Sequence, residues 1–380
     1  MRVGISRERA PGERRVAAVP DIVATYVKWG WDVVVEPDAG TAAGFPDPAY
    51  VDAGAAIGDP IDADLVLVVG PPTVEMIRTL RPGTVVAGFM EPFTGTDLMT
   101  AAVEQGLTVL AIEAIPRTTL AQAMDALSSQ ANIAGYAAVL TAAGAAPRLM
   151  PMMVTAAGTI APAKVVILGV GVDGLQAIAT AKRLGAVVHA YDIRTETREQ
   201  VESLGARFIA AVTTDADDGG YAKEVAADTQ EQQQAALAPF VADADIVVTT
   251  AQIPGRPAPL LVTDEMVATM RPGSVIVDMA AASGGNVSAS RPDEVVDVGG
   301  VSIHGPTNLA AAHPADASRM YARNLLALVD RIRTTSGGDG QEHADPLTVD
   351  LDDDILGPTT VVSAGAARHP RTAELLGAGS

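Results

Sequence analysis

The stretch "AKVVILGVGVDGLQAIATAKRLGAVVHAYDIR" constrains the fold more than any other segment of this chain. Its spacing predicts a strand at Val165–Leu168, a G-x-G-x-x-G turn at Gly169, Gly171 and Gly174, a helix, and a second strand ending at Asp192. Each glycine has a mechanical reason. Gly169 permits the tight turn, Gly171 lets backbone approach a pyrophosphate, and Gly174 lets helix and strand pack closely. Val170, Gly171 and Val172 stand at the helix entry, where free N–H groups and positive potential suit an anion. Asp192 follows Gly174 by about 18 residues, where an acid binds the adenosine ribose hydroxyls and repels a 2′-phosphate. That reading prefers NAD(H) to NADP(H). Arg194 offers the opposite, a guanidinium that accepts such a phosphate or stacks on adenine. The bland alternative is a structural glycine turn in an α/β fold. Asp173 is an unexpected acid beside a pyrophosphate and is expected to point to solvent.

The same rhythm of apolar run, turn and helix extends along the chain. One series of strands is expected at Arg2–Ile5, Asp32–Val35, Leu65–Val69, Val85–Phe89 and Thr108–Ile112. A second is expected at Val165–Leu168, Val187–Tyr191, Ile246–Thr249, Val275–Met279 and Val301–His304. Val- and Ile-rich runs separated by helices imply parallel sheets covered on both faces. Two series imply two doubly wound α/β domains. An internal echo agrees: "DADLVLVV" at Asp62 recurs as "DADIVVTT" at Asp243, and "MIRTLRPGTVV" at Met76 recurs as "MVATMRPGSVI" at Met266. Duplication of one unit explains this, although shared turn chemistry alone can produce such matches. A long helix beginning near Leu120 joins the two series. The apolar helix "ADASRMYARNLLALVDRI" can carry the chain back to the first. The expected domains are therefore 1–127 with 311–380, and 128–310. The tail from Thr334 reads as a surface excursion with a strand-like "LTVDL" and a loose end.

Composition removes several function classes. With 48% apolar but only 3% aromatic residues, a large core must be built from Ala, Val, Leu and Ile. A net charge of −20 repels a phosphate backbone, so nucleic acid is not an expected partner. The absence of cysteine excludes disulfides, thiolate nucleophiles and cysteine metal sites. No His or acid cluster has metal-ligand spacing. The N-terminal segment has no apolar signal core, and no run approaches a membrane span of roughly 18 residues, so a soluble, cytoplasmic chain without direct membrane insertion is expected.

The catalytic inventory is thin. A nicotinamide dehydrogenase acting on a hydroxy or amino acid needs a proton acceptor, commonly His or Lys. The histidines are His189, His304, His313, His343 and His369, and the only lysine before residue 128 is Lys28. His189 reads as a packed strand residue, and neither His304 nor His313 has an evident carboxylate partner. Hydride transfer between two nicotinamides needs no proton acceptor, only oriented approach of the rings. That gives "PRTTLAQAMDALSSQANIAGY" a purpose. Gln122, Asp125 and Ser128 recur every three residues, and Arg117 precedes them; on one helical side they form a polar edge able to bond a carboxamide and ribose. Helix capping with solvated polar residues explains the same pattern.

Taken together, "RVAAVP", "PRTTLAQAMDALSSQANIAGY", "TAAGTIAPAKVVILGVGVDGLQAIATAKRLGA", "GGYAKE", "IPGRPAP" and "GSVIVDMAAASGGN" carry a resemblance over nearly the whole chain. It resembles the NAD(H)-binding component of proton-translocating nicotinamide nucleotide transhydrogenases, in the alanine dehydrogenase/transhydrogenase family. The resemblance implies two Rossmann-like doubly wound domains with NAD(H) in a cleft between them. It implies that Arg117, Gln122, Asp125 and Ser128 hold the nicotinamide end and that Val170, Gly171 and Val172 meet the pyrophosphate. Asp192 and Arg194 would lie near the adenosine, with Gly220 and Tyr221 on a mobile loop that closes over the nucleotide. Gln252 stands where the family usually has an apolar residue, and Asp173 where it has a small one. Alanine dehydrogenases carry a catalytic Lys and His in the first domain; the matching places here are Gly70 and Glu91, which argues against amino-acid oxidation.

The reaction so implied passes hydride reversibly from NADH to NADP+, coupled to proton translocation. Its partners would be membrane-spanning subunits and an NADP(H)-binding component, with the chain a homodimer peripheral to the inner face of the plasma membrane. The competing readings are an amino-acid dehydrogenase of the alanine type and a non-enzymatic NAD(H)-sensing module.

Overall fold

The Val- and Ile-rich runs form the strands of two separate sheets. The structure, a computed structural model, describes residues 1–210, 227–253, 256–335 and 347–377. The chain divides into two units, Met1–Gln130 with Ala311–Ser380, and Ala131–Ala310.

In the first unit the strands are β1 (Arg2–Ile5), β2 (Asp32–Val35), β3 (Ala56–Ile57), β4 (Leu65–Leu67), β5 (Val85–Gly88) and β6 (Thr108–Ala111). They pair in parallel in the order β3-β2-β1-β4-β5-β6. The chain winds outward from β1, returns, and continues from β4 on the other side, which is the doubly wound order. Leu65, Val66 and Leu67 are all fully buried, so β4 shows none of the alternation of a one-faced sheet. Leu65 and Leu67 pack on one side with Val3 and Ile5, while Val66 packs on the other with Val86 and Ile77.

The second unit opens with an antiparallel hairpin, β7 (Met153–Thr155) and β8 (Gly158–Ile160). Its main sheet comprises β9 (Lys164–Leu168), β10 (Val187–Tyr191), β11 (Arg207–Phe208), β12 (Ile246–Thr249), β13 (Val275–Asp278), β14 (Val295–Val298) and β15 (Val301–His304). The order is β11-β10-β9-β12-β13-β15-β14, parallel except for β14. Again the winding reverses beside the first strand, between β9 and β12.

The echoed segments occupy corresponding places in the two sheets, and their shared residues make the same bonds. The short helices Val74–Thr79 and Asp264–Thr269 are capped by Thr73 and Thr263, whose hydroxyls accept from Met76 and Met266 N–H. Arg81 donates to the Asp62 carbonyl at 2.6 Å and to Asp64 at 3.1 Å; Arg271 donates to the Asp243 carbonyl at 2.9 Å and to Asp245 at 3.0 Å. Asp64 and Asp245 in turn accept the N–H of Arg2 and Lys164, at the starts of β1 and β9. A Gly-containing turn accounts for Arg-Pro-Gly alone. It does not account for one aspartate tying a remote arginine to the start of the first strand in both units.

The returning helix Pro314–Thr335 buries Tyr321, Leu325, Leu328, Val329 and Ile332 in the first unit's core. The tail differs from expectation. "LTVDL" forms no strand; β16 (Thr360–Ser363) forms instead, antiparallel beside β6, followed by β17 (Ala366–Ala367), giving the full order β17-β16-β6-β5-β4-β1-β2-β3. Strand propensity is similar in both stretches, but β6 has one free edge, and the segment that reaches it becomes the strand. Nor is the end loose up to Leu375: Val361 and Val362 are buried, and Thr372 donates to the Pro92 carbonyl at 3.0 Å.

Candidate functional site

β9 runs into the glycine turn, and the turn runs into the Val172–Arg183 helix. Gly169 has φ +103°, and a Cβ there would lie 2.6 Å from the Thr250 hydroxyl, so both backbone angle and space demand glycine. At Gly174 the constraint is contact: a Cβ would sit 2.1 Å from the Gly169 carbonyl oxygen. Gly171 is the residue before the helix, and a Cβ on it would lie 2.9 Å from a carboxylate oxygen of Asp173. Val170 is buried and Val172 exposed. The turn thus presents the first amides of the helix, an arrangement suited to a phosphate.

Asp192 lies just beyond β10 and is buried. One carboxylate oxygen accepts the Val170 N–H at 2.8 Å, which ties the acid to the glycine turn. Arg194 clasps the same carboxylate through Nε at 2.9 Å and a terminal nitrogen at 2.8 Å, and also donates to the Val170 carbonyl at 3.1 Å. The acid and the cation that the sequence sets in competition are therefore one ion pair closed over the turn.

Asp173 does not point to solvent. Its carboxylate accepts the Gly174 N–H at 2.8 Å, with Thr250 within hydrogen-bonding reach. Burial pushes its pKa up to about 6 against the opposing effect of those bonds. A sequence shows the charge of a residue but not the loss of water around it.

In the first unit, the expected helix near Leu120 is two elements. Thr119–Met124 is a 3₁₀ turn, and the α-helix Ala126–Ala145 begins only after Asp125, whose ψ of 83° breaks the helical path. Gln122, Asp125 and Ser128 therefore do not share one α-helical face. Asp125 accepts the Ser128 N–H at 2.9 Å and its hydroxyl at 2.6 Å, the bonding of a helix N-cap. Arg117 and Gln122 are exposed. The neighbouring Ser129 and Gln130 stitch this helix start down: Ser129 donates to Asn324 at 2.7 Å, Asn324 donates to the Ala123 carbonyl at 2.8 Å, and Gln130 accepts from Arg15 at 2.9 Å.

Gly220 and Tyr221 lie outside the described residues. Gln252 is exposed and donates to the Met279 carbonyl at 2.8 Å. His189 stands on β10 against Phe240, and His304 on β15 with its Nε2 buried and unpartnered among the described residues; burial lowers the pKa of both.

Sequence reasoning misses a set of carboxylates at the strand ends of the first unit. Glu8, after β1, accepts the N–H of Val69 at 2.6 Å and of Gly70 at 3.1 Å, just beyond β4. Glu113, after β6, accepts the N–H of Met90 and of Glu91, at 2.9 and 2.8 Å, just beyond β5. Burial pushes Glu8 up to about 7 and raises Glu113 as well. Arg15 is buried in a fork with Glu13, the shortest contact 2.6 Å. Nothing in the spacing of "SRERAPGERR" singles out Glu8, Glu13 or Arg15; the convergence of strand ends half-buries Glu8 and buries Arg15.

Family models describe both halves of the chain: "Alanine dehydrogenase/PNT, N-terminal domain" over residues 4–134 and "Alanine dehydrogenase/PNT, C-terminal domain" over residues 138–370. The chain belongs to the alanine dehydrogenase/PNT family. Within it, the "NAD(P) transhydrogenase subunit alpha" of Haemophilus influenzae is 40% identical over 377 residues, covering 97% of this chain and 72% of that one. The solved transhydrogenase from Sinorhizobium meliloti superposes with a TM-score of 0.84 at 42% identity, covering 97% of this chain and 99% of the other. The alanine dehydrogenase of Bacillus subtilis is more distant, 29% identical over 82% of this chain and 79% of its own length. Family membership and both sheet orders agree on two Rossmann-like units with parallel-dominated sheets.

Proposed function

We propose that this chain is the NAD(H)-binding component of a proton-translocating transhydrogenase. It holds NADH or NAD+ on the second unit, at the Gly169–Gly174 turn with Asp192 and Arg194 at the adenosine. Arg117, Gln122, Asp125 and Ser128 contact the nicotinamide end. Hydride passes reversibly to NADP(H) on a separate component, and membrane-spanning subunits couple the exchange to proton movement. No helix among the described residues is long and apolar enough to cross a membrane, so membrane attachment in this reading comes through those partners.

The observation that carries the reading is at the strand ends of the first unit. The two places that match the Lys and His of alanine dehydrogenases are Gly70 and Glu91. Glycine has no side chain and glutamate has neither amine nor imidazole to offer a substrate, and the backbone amides at both places are fastened by the half-buried carboxylates of Glu8 and Glu113. Exchange between two nicotinamides requires none. Self-association belongs to the proposal. The β7–β8 hairpin leaves Met153 41%, Val154 68% and Ile160 47% exposed, with Met152 beside it at 61%, an apolar surface suited to a second copy.

The test mixes the chain with the NADP(H)-binding component of a transhydrogenase and follows reduction of a spectrally distinct NADP+ analogue by NADH. Exchange is expected with the mixture and not with either protein alone. Turnover of alanine with NAD+ by the isolated chain would assign it to amino-acid oxidation instead. NADH binding without exchange would make it a sensor.

A further inference from the structure

We propose that Asp173 sets the strength and the pH dependence of dinucleotide binding, because its carboxylate covers the face of Gly171 and the helix entry that a pyrophosphate must reach. This rests on the reading that the Gly169–Gly174 turn takes the dinucleotide.

Asp173 is the second residue of the Val172–Arg183 helix. Its Oδ1 accepts the Gly174 N–H at 2.8 Å, one of the amides that a helix start leaves free for an anion. The same oxygen would lie 2.9 Å from a Cβ on Gly171. That is the side on which the second glycine is kept bare so that backbone and pyrophosphate can meet. In this chain a carboxylate already stands there.

Retreat of the backbone is blocked. A Cβ on Gly135, in the Ala126–Ala145 helix, would lie 2.0 Å from the Asp173 carbonyl oxygen, so helix and turn are in direct contact. Only the side chain can yield, by rotating away or by taking up a proton. The groups facing it favour the second course. Gly135 brings nothing titratable, and Thr250 from beyond β12 brings a neutral hydroxyl. Arg194 is the nearby cation, but its guanidinium is held by Asp192 at 2.8 Å and by the Val170 carbonyl, so its charge is shared before Asp173 receives any. A half-buried carboxylate and a doubly charged pyrophosphate repel where water is scarce. A protonated carboxyl instead donates to a phosphate oxygen. Because burial already brings Asp173 up to about 6, the proton is within reach near neutral pH.

Binding should therefore take up a proton, and NADH affinity should rise as pH falls from 8 towards 6. The experiment titrates NADH into the full chain, and into Asp173→Asn and Asp173→Ala, at pH 6 and 8. Asn keeps the shape and an acceptor for Gly174; Ala removes the group. Both variants are expected to bind about tenfold tighter than the unaltered chain at pH 8, with little pH dependence, and the gap should close at pH 6. A second measurement needs no variant: calorimetry of the unaltered chain in two buffers of different ionisation enthalpy should show proton uptake near pH 7. Affinities within twofold at pH 8 with parallel pH profiles, or no proton uptake, would overturn the role of Asp173 while leaving the site in place. No NADH binding by any of the three proteins would overturn the nucleotide site itself.

Discussion

Asp125 accepts both the backbone N–H and the hydroxyl of Ser128, at 2.9 and 2.6 Å. One carboxylate thus starts the Ala126–Ala145 helix and stands in the segment proposed to reach the nicotinamide. The two duties separate by substitution. Asn caps a helix about as well as Asp, so Asp125→Asn should melt like the unaltered chain, while Asp125→Ala should lose about 1 kcal/mol. If the carboxylate also orients the nicotinamide ribose, Asp125→Asn keeps NADH binding and slows hydride exchange. Thermal melts beside the exchange assay decide it; an unchanged exchange rate in Asp125→Asn would leave the residue a cap and nothing more.

Gly174 carries the closest approach in the glycine turn. A methyl group there meets the Gly169 carbonyl oxygen at 2.1 Å, backbone against side chain, with no rotamer to escape into. Gly174→Ala should force helix and strand apart. The expected cost is about 1–3 kcal/mol, the range for overpacking, together with loss of NADH affinity. Gly144→Ala, within the Ala126–Ala145 helix where a Cβ meets nothing within 4 Å, is the control: it should keep NADH affinity and gain about 0.5–1 kcal/mol of stability.

What could be read from the sequence divides along physical lines. Asp32–Val35 and Ile246–Thr249 were legible because buried parallel strands announce themselves as runs of β-branched residues between turns. The glycine turn was legible because close approach and positive φ leave few residues to choose from. Thr360–Ser363 was not, because its partner edge lies some 250 residues away in the chain, on β6. Asp173 and Glu8 were misjudged or missed for a different reason: solvation belongs to the folded surroundings, and a carboxylate carries no sequence mark of it. The break at Asp125 was hidden because a three-residue recurrence suits a 3₁₀ turn and an α-helix alike, and the segment uses both.

The tail strand β16 should be structural. Val361 and Val362 are buried, and without them β6 becomes an exposed parallel-sheet edge. Val361→Asp places an unpaired charge in that interior and should destabilise the first unit by roughly 3 kcal/mol or more, with aggregation on expression. NADH affinity per folded molecule should be unchanged, since Val361 packs in a core cluster that holds neither the glycine turn nor Arg117, Gln122, Asp125 or Ser128. Melting and NADH titration on the soluble fraction check both statements.

The β7–β8 hairpin supplies the test of self-association. Val154, 68% exposed, makes no contribution to its own unit's core. Val154→Glu should therefore leave the melting temperature of a monomer unaffected while adding charge to the apolar surface. Sedimentation equilibrium is expected to show a dimer for the unaltered chain and a shift towards monomer for the variant. A dimer equally tight in both would place the contact elsewhere.

Glu8 makes stability depend on pH in a direction that can be worked out. Its carboxyl titrates at about 7 in the folded chain against an ordinary value of 4.5, chiefly because it is buried. A group whose pKa rises on folding binds its proton more tightly in the native state. Its stabilising contribution is complete below about 4.5 and is lost as pH rises through about 7. From pH 5 to 8 the unaltered chain should lose stability from this one residue, by at most about 3 kcal/mol. Glu8→Gln has no proton to lose, but it has one oxygen where Val69 and Gly70 each bond to a separate one, so it carries a fixed cost at every pH. Relative to the unaltered chain, the stability of the variant should therefore rise between pH 5 and pH 8. Denaturant titrations at both pH values measure the difference. A gap of the same size at both would mean that Glu8 stays charged inside the fold, with the two amides and nearby Arg15 offsetting its burial entirely.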